Sequence, residues 1–276
     1  MPAISKITVA KKNKGRFHIY VDRGQGDEYA LTVSEDIFVK WSFSKGMELS
    51  EDDIVKIREE DVLDKAFQKT LNYLSYRMRS EKEVLQYMKD QEVGEEEARR
   101  LLDRLQDLNL LDDRAFAEAF VRTKKNTQKK GPLLIEQELY QKGISQKDID
   151  HALKEYPEEE ELENAIKTAS KKQTSYKKEG NRQRKQKLLQ FLMQRGFSNG
   201  IAKQAVDKCE AEIPEDFEWE GLVKQGEKAI KKFQKYEAWE RDQRIKQYLY
   251  QRGFSGDSIE AWFSKMKEEG SLAEDE

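Results

Sequence analysis

From Val84 to Met266 the apolar residues of the chain follow one frame, written four times. It begins at Val84, Ile135, Leu188 and Ile245, and each copy repeats the same internal offsets. The second copy reads Ile135, Leu139, Ile144, Ile149, Ala152, Leu153 and Tyr156, and the last reads Ile245, Leu249, Phe254, Ile259, Trp262, Phe263 and Met266. Steps of three and four put residues on one helix face, and a break of phase after the second position predicts two helices joined by a tight turn. Gly143, Gly196 and Gly253 stand at that break, where a helix commonly ends on a left-handed residue. The first copy has Gln91-Glu92 there and its glycine displaced to Gly94, so its turn is expected to be built differently.

Another amphipathic stretch precedes each copy: Leu63–Leu74, Phe116–Arg122, Leu162–Ser170 and Leu222–Tyr236. The repeating unit is therefore three helices, and the copies start 51, 53 and 57 residues apart. The expected fold is mainly α, with tandem three-helix, helix-turn-helix-like repeats in an elongated curved array. The first sixty residues have another period. Phe17, Ile19 and Val21 alternate with polar neighbours, Ile7 and Val9 form a similar run, and Tyr29 to Val33 forms a third. Lys11 to Gly15 and Gly24 to Asp27 supply turns, which predicts a small antiparallel sheet of about three strands. Ser34 is placed to cap a short helix carrying Ile37, Phe38 and Trp41, and Ser50 with Asp53 to cap another carrying Ile54 and Ile57. The expected divisions are 1–61 for the β-containing unit, 62–108, 109–157, 158–213 and 214–270 for the repeats, and 271–276 for an acidic tail.

Helix boundaries in the first two repeats are written in side chains. Ser80 with Glu83 forms a capping-box pattern before Val84. Asp112 and Asp113 place carboxylates at the positive end of a helix carrying Phe116, Phe120 and Val121. Pro132 suits a first helical position, and Gly143 a helix end.

Charge changes the picture more than any motif. Charged residues make up 38% of the chain against 37% hydrophobic, which suits thin helices with one buried stripe. The net charge of −3 marks no general polyanion binder, but the charges are blocked. Arg122 to Lys130 holds five basic residues and no acid, Glu155 to Glu163 six acids and no base, and Lys167 to Lys187 nine basic residues against Glu179. Such blocks also form ordinary solvated faces. One cysteine, Cys209, leaves no internal disulfide, as in a reducing cytoplasm. The opening Met1-Pro-Ala-Ile-Ser-Lys has no signal-peptide core, and no apolar run suggests a membrane span.

Catalysis finds no support. His18 and His151 are far apart in sequence, Cys209 occupies an apolar frame position, and no phosphate-cradling glycine loop occurs. The expectation is no enzyme, no catalytic residue, no cofactor and no metal.

The wording from Leu71 to Ile144 closely resembles the RecX family, cytoplasmic bacterial regulators of the RecA recombinase. The resemblance rests on Tyr76-Arg77-Met78-Arg79-Ser80 with Glu83, on Leu108-Asn109-Leu110-Leu111-Asp112-Asp113-Arg114 with Phe116, and on Lys130-Gly131-Pro132 and Lys142-Gly143-Ile144 in that order. Family members commonly have three such repeats, so a fourth repeat and an N-terminal sheet mark a longer form. The resemblance implies a cytoplasmic, monomeric regulator of DNA repair, recombination and the SOS response. It would bind RecA or its DNA filament and modulate, chiefly inhibit, ATPase, recombinase and coprotease activity. The residues expected at the partner are Arg77, Arg79, Lys82, Arg122, Lys124, Lys125, Lys129 and Lys130; Lys171, Lys172, Lys177, Lys178, Arg182 and Arg184 are candidates for contact with single- or double-stranded DNA. The alternative is a helix-turn-helix-like protein acting directly on nucleic acid. Against it, the helices after the turns open on Glu95-Glu96-Glu97 and Asp148-Ile149-Asp150, whose carboxylates would face phosphate.

Overall fold

The computed structural model describes residues 1–11, 14–211 and 216–269, arranged as two units, 1–116 and 117–276. Lys12 and Asn13 of the turn expected at Lys11 to Gly15, the boundary at 213/214 and the acidic tail lie outside the described residues.

In the first unit, β1 (Ala3–Val9), β2 (Arg16–Asp22) and β3 (Asp27–Ser34) form an antiparallel sheet in that order. Alternation sends Ile4, Ile19, Val21, Leu31 and Val33 to one buried face. That core is closed by α1 (Glu35–Lys40), capped by Ser34, and by the first turns of α2 (Glu51–Ser75). Ser50 and Asp53 close the expected capping box at the start of α2.

Two helices expected on either side of residue 61 are a single helix of 25 residues. No glycine or proline interrupts the chain from Ile54 to Ser75, so nothing stops the helix once it is capped. Its first half packs Ile54 and Ile57 on the sheet, and its second half gives Ala66 and Phe67 to the core of the first repeat. The buried carboxylate of Asp61 ties the two parts together. It accepts from Arg16 at 2.7 Å and from the Ser34 amide at 3.0 Å.

The repeat register is the one the frame predicts. Every frame position is buried except Val93 and Leu153, which are half-buried. The first repeat continues with α3 (Glu81–Asp90) and α4 (Glu95–Asp107), the second with α5 (Asp113–Thr127), α6 (Pro132–Gln141) and α7 (Gln146–Leu153). The third comprises α8 (Glu158–Gln173), α9 (Asn181–Gln194) and α10 (Asn199–Ala211); the fourth α11 (Asp216–Phe233), α12 (Ala238–Gln251) and α13 (Gly256–Glu268). α11 thus stops three residues short of the expected Tyr236. Gly143, Gly196 and Gly253 hold φ of 84°, 87° and 88° at the turns. In the first repeat Glu92 takes that left-handed place, at φ 61°, and Gly94 becomes the N-cap of α4.

Two acids at residues 112 and 113 divide their work. Asp112 caps its own helix by accepting from the Ala115 amide at 2.9 Å. Asp113 instead accepts from the Glu81 amide at 2.8 Å, satisfying the first N–H of α3. Glu218 does the same for the first N–H of α9, at Asn181, from the start of α11.

Within the second unit, successive repeats are joined backbone to backbone. The Gly131 amide donates to Arg195 O at 2.8 Å and the Leu133 amide to Gly196 O at 3.1 Å. One repeat on, the Gly180 amide donates to Arg252 O at 2.9 Å and the Arg182 amide to Gly253 O at 3.3 Å. A glycine N-cap of one middle helix therefore rests on the turn glycine of the next repeat. A Cβ on Gly131 or Gly180 would stand 2.2 Å from backbone atoms of that turn.

Candidate partner-binding surface

The basic run 122–130, free of acids in sequence, is largely neutralised in the fold. It falls on α5 and the loop before α6, where acids from α6, from the α7–α8 connection and from the first turn of α8 reach it. Arg122 pairs with Glu155 at 2.8 Å. Lys125 is buried against Glu160 at 2.6 Å, and also donates to Glu155 O and lies over the Tyr156 ring. Lys124 and Lys130 both meet Glu138. Of the five, Lys129 is in no ion pair among the described residues. The acidic block 155–163 is thus in part the internal counterion of the basic block 122–130.

Burial of that junction has electrostatic consequences. Tyr156 accepts from Asn164 at 3.0 Å, and burial pushes its hydroxyl pKa up to about 12. Burial also raises the Glu161 carboxyl, against an opposing hydrogen bond from the Ser198 amide.

In the first unit the candidates are more open. Arg77 is exposed and forks onto Glu83 at 3.1 and 3.2 Å. Arg79 lies 4.1 Å over the ring of Tyr73, which itself stacks on Tyr87. Lys82 is exposed on the first turn of α3. Tyr76, the α2 C-cap, is 84% exposed.

The third-repeat cations split in the same way. Lys171 and Lys178 are exposed and in no ion pair among the described residues. Lys172 covers Tyr176 and Phe191, Lys177 pairs with Glu220 at 2.7 Å, and Arg182 stacks on Tyr250 at 4.6 Å. Arg184 is a correction to the expectation: it is 1% exposed and forks onto Glu210 at 2.8 and 2.9 Å. A guanidinium held inside the fold cannot reach DNA.

A row of residues outside the charge blocks was not anticipated. Tyr140, Met193 and Tyr250 each follow the second frame residue of their repeat by one position and are 70%, 49% and 53% exposed. Single exposed apolar residues are ordinary, but the same place in three successive repeats is a pattern. The frame already held the signal, as a large apolar side chain one step off the buried stripe. Among the described residues no group of three or more His, Cys, Asp or Glu side chains is placed to hold a metal, and no helix is long and apolar enough to cross a membrane.

Comparison with known proteins finds RecX domain models in order along the chain. Residues 2–50 match the model of the RecX N-terminal domain, 66–105 that of the first RecX three-helix domain, and 112–153 that of the second. The third three-helix domain matches twice, at 158–206 and 215–263, so the fourth repeat is a second copy of the third type. The regulatory protein RecX of Bacillus cytotoxicus is 37% identical over 270 residues, covering 98% of this chain and all of that one. That of Oceanobacillus iheyensis is 40% identical, covering 94% and 96%. A crystal structure of regulatory protein RecX superposes with a TM-score of 0.66 at 39% identity, over 75% of this chain and all of that one. The structure of RecX from Lactobacillus salivarius gives 0.52 at 32% identity, over 55% and 99%.

Proposed function

The chain belongs to the RecX family of regulatory proteins, and we propose that it binds RecA, alone or as its filament on DNA, and inhibits the filament's ATPase, recombinase and coprotease activities. It does so in the cytoplasm, as a monomer, by occupying a surface and not by catalysis. The observation that carries the reading is the row Tyr140, Met193 and Tyr250. A filament presents the same surface again and again, and a chain of like repeats can meet it with like residues. Exposed tyrosine supplies apolar contact at little entropic cost, methionine supplies an adaptable one, and both are enriched at protein interfaces. Lys129 in the loop after α5, its ammonium group in no ion pair among the described residues, and Arg122 on α5 add charge at the rim. On the first unit, Arg77, Arg79 and Lys82 are the cations offered to the partner.

Direct groove reading of duplex DNA is the weaker alternative, because α4 opens on Glu95, Glu96 and Glu97, and Asp148 is spent on the Ser145 cap of α7. The test is a titration into RecA filaments on single-stranded DNA, with ATP hydrolysis and filament length followed together. Tyr140→Ala/Met193→Ala/Tyr250→Ala should lose inhibition by about tenfold or more, as the loss of interface anchors does, with an unchanged melting temperature. Full inhibition by that variant would move the contact elsewhere, and no effect of the unaltered protein on the filament would overturn the proposal.

A further inference from the structure

One face of the N-terminal sheet packs on α1 and α2, and the other carries a different set of side chains. Register places Lys6 opposite Tyr20, Thr8 opposite His18, His18 opposite Thr32, and Tyr20 opposite Tyr29. These residues alternate with the buried ones and so share the outer face. The rings form one cluster: Tyr20 and Tyr29 meet edge to face at 6.0 Å, and His18 and Tyr29 at 6.1 Å. Thr32 Oγ1 lies 2.7 Å from both His18 Nδ1 and the Tyr29 hydroxyl, which fixes two of the rings. The Lys6 ammonium sits 5.6 Å above the Tyr20 ring. Tyr29 is 58% exposed although it lies in a strand of a well-packed sheet.

Charge on the three-stranded segment, residues 1–34, opposes that of the whole chain. Residues 1–34 hold six basic side chains, Lys6, Lys11, Lys12, Lys14, Arg16 and Arg23, against three acids, Asp22, Asp27 and Glu28. The acids gather at the β2–β3 turn, where Asp22 takes the Gly24 and Gly26 amides and Glu28 pairs with Arg23. The opposite end of the sheet is flanked by Lys11 and Lys14. Neither these two nor Lys6 is in an ion pair among the described residues.

An exposed Tyr29 ring, half-buried Tyr20 and His18 rings beside it, and lysines in no ion pair along the same sheet supply the two halves of a single-strand site: the rings take base faces and the cations take phosphates. A duplex hides its base faces, and an acidic peptide would use the lysines but not the rings. Strands ~4.8 Å apart give the face room for about two or three bases. We propose that the outer face of the N-terminal sheet binds single-stranded DNA, stacking bases on Tyr20 and Tyr29 beside Lys6, with the backbone running along the face toward Lys11 and Lys14 at its other end. The choice of DNA over RNA rests on the regulatory function proposed above; the site itself does not.

The experiment uses the full chain, without RecA, and a fluorescein-labelled oligothymidylate of about twelve nucleotides, within the usual range of single-strand sites. Anisotropy should report binding that weakens with salt. Tyr20→Leu/Tyr29→Leu keeps apolar bulk and should weaken binding by about tenfold or more, because a leucine cannot stack on a base. Lys6→Glu/Lys11→Glu/Lys14→Glu changes only exposed residues and should both weaken binding and flatten its salt dependence. Bromodeoxyuridine in the oligonucleotide should photo-crosslink to the peptide holding Tyr20 or Tyr29. Unchanged affinity of both variants, crosslinks confined to residues 171–187, tighter binding of oligouridylate, or displacement by polyglutamate as readily as by oligothymidylate would each overturn the proposal. A protein that binds the oligonucleotide through Tyr29 but leaves RecA filaments untouched would overturn the regulatory reading alone. Tyr20→Leu/Tyr29→Leu protein that still inhibits filaments would show the two surfaces to be separate.

Discussion

Gly180→Ala adds one methyl group and should undo the joint between the third and fourth repeats. The new Cβ would stand 2.2 Å from the Gly253 carbonyl carbon and from the Phe254 amide nitrogen. Backbone atoms cannot turn aside as a side chain can, so the two segments must part by roughly 1 Å or more to reach ordinary contact near 3.5 Å. That shift stretches the bonds from Gly180 N–H to Arg252 O and from Arg182 N–H to Gly253 O. Each contributes about 1 kcal/mol net, and the Gly180 donor, buried without a partner, costs about 1–3 kcal/mol more. Alanine is also the poorer N-cap, by about 1 kcal/mol at most. Restriction of the unfolded chain works the other way, by about 0.4–1 kcal/mol. The balance is a loss of roughly 3–5 kcal/mol, or undocking of the fourth repeat, seen in urea unfolding and as faster amide exchange in α12. Gly200→Ala is the internal control. Nothing lies within 4 Å of a Cβ there, in the first turn of α10, so it should be neutral or stabilising by up to ~1 kcal/mol. If Gly180→Ala stays within about 1 kcal/mol of that control, the close approach of the two glycines does not hold the repeats together.

Three further outcomes follow from the polar contacts. Asp113→Ala should cost about 1 kcal/mol in a thermal melt, because α3 loses the acceptor of its first N–H, whereas Asp113→Asn should be nearly silent. Arg184→Ala should cost about 3–5 kcal/mol by leaving the Glu210 carboxylate buried without its cation, while Lys171→Ala in the same basic block should stay within about 0.5 kcal/mol. Glu161→Gln should stabilise the protein at neutral pH, since burial raises the folded pKa above the unfolded one and so penalises the charged form. The penalty is absent below the unfolded carboxylate value, near 4.3, and grows as pH rises from there through the folded pKa, so the gain should vanish in acid; a pH-independent gain would rule this cause out.

The helical part of the fold was legible because its information is local and repeated. Four copies of one frame fix the face of each helix, and Gly143, Gly196 and Gly253 mark the same turn. What the frame could not give was the joint. Gly131 reads locally as the residue before a helix-starting proline, yet its lack of a Cβ also serves Gly196, in the next repeat. The fusion at residue 61 was missed for another reason. A change of period marks where the packing partner changes, from sheet to repeat, and a helix can serve two partners without breaking. Asp61, buried and bonded to Arg16 and Ser34, belongs to the sheet although its neighbours belong to the repeat.

Charge blocks mislead for the opposite reason, because their meaning is settled by distant residues. A run such as 122–130 reads as an open basic surface only while its counterions are out of view. Folding brings Glu138, Glu155 and Glu160 to it and leaves Lys129 in no ion pair among the described residues. A cation already matched gains little from a new acidic partner, since it must give up one carboxylate to meet another. Affinity for a partner should therefore come from side chains the fold leaves unmatched. On the second unit Lys129, Lys171 and Lys178 are such cations within the two basic blocks, in no ion pair among the described residues, and Tyr140, Met193 and Tyr250 are exposed apolar residues at one repeat position. The second group stands in the sequence one position after the second residue of the buried frame.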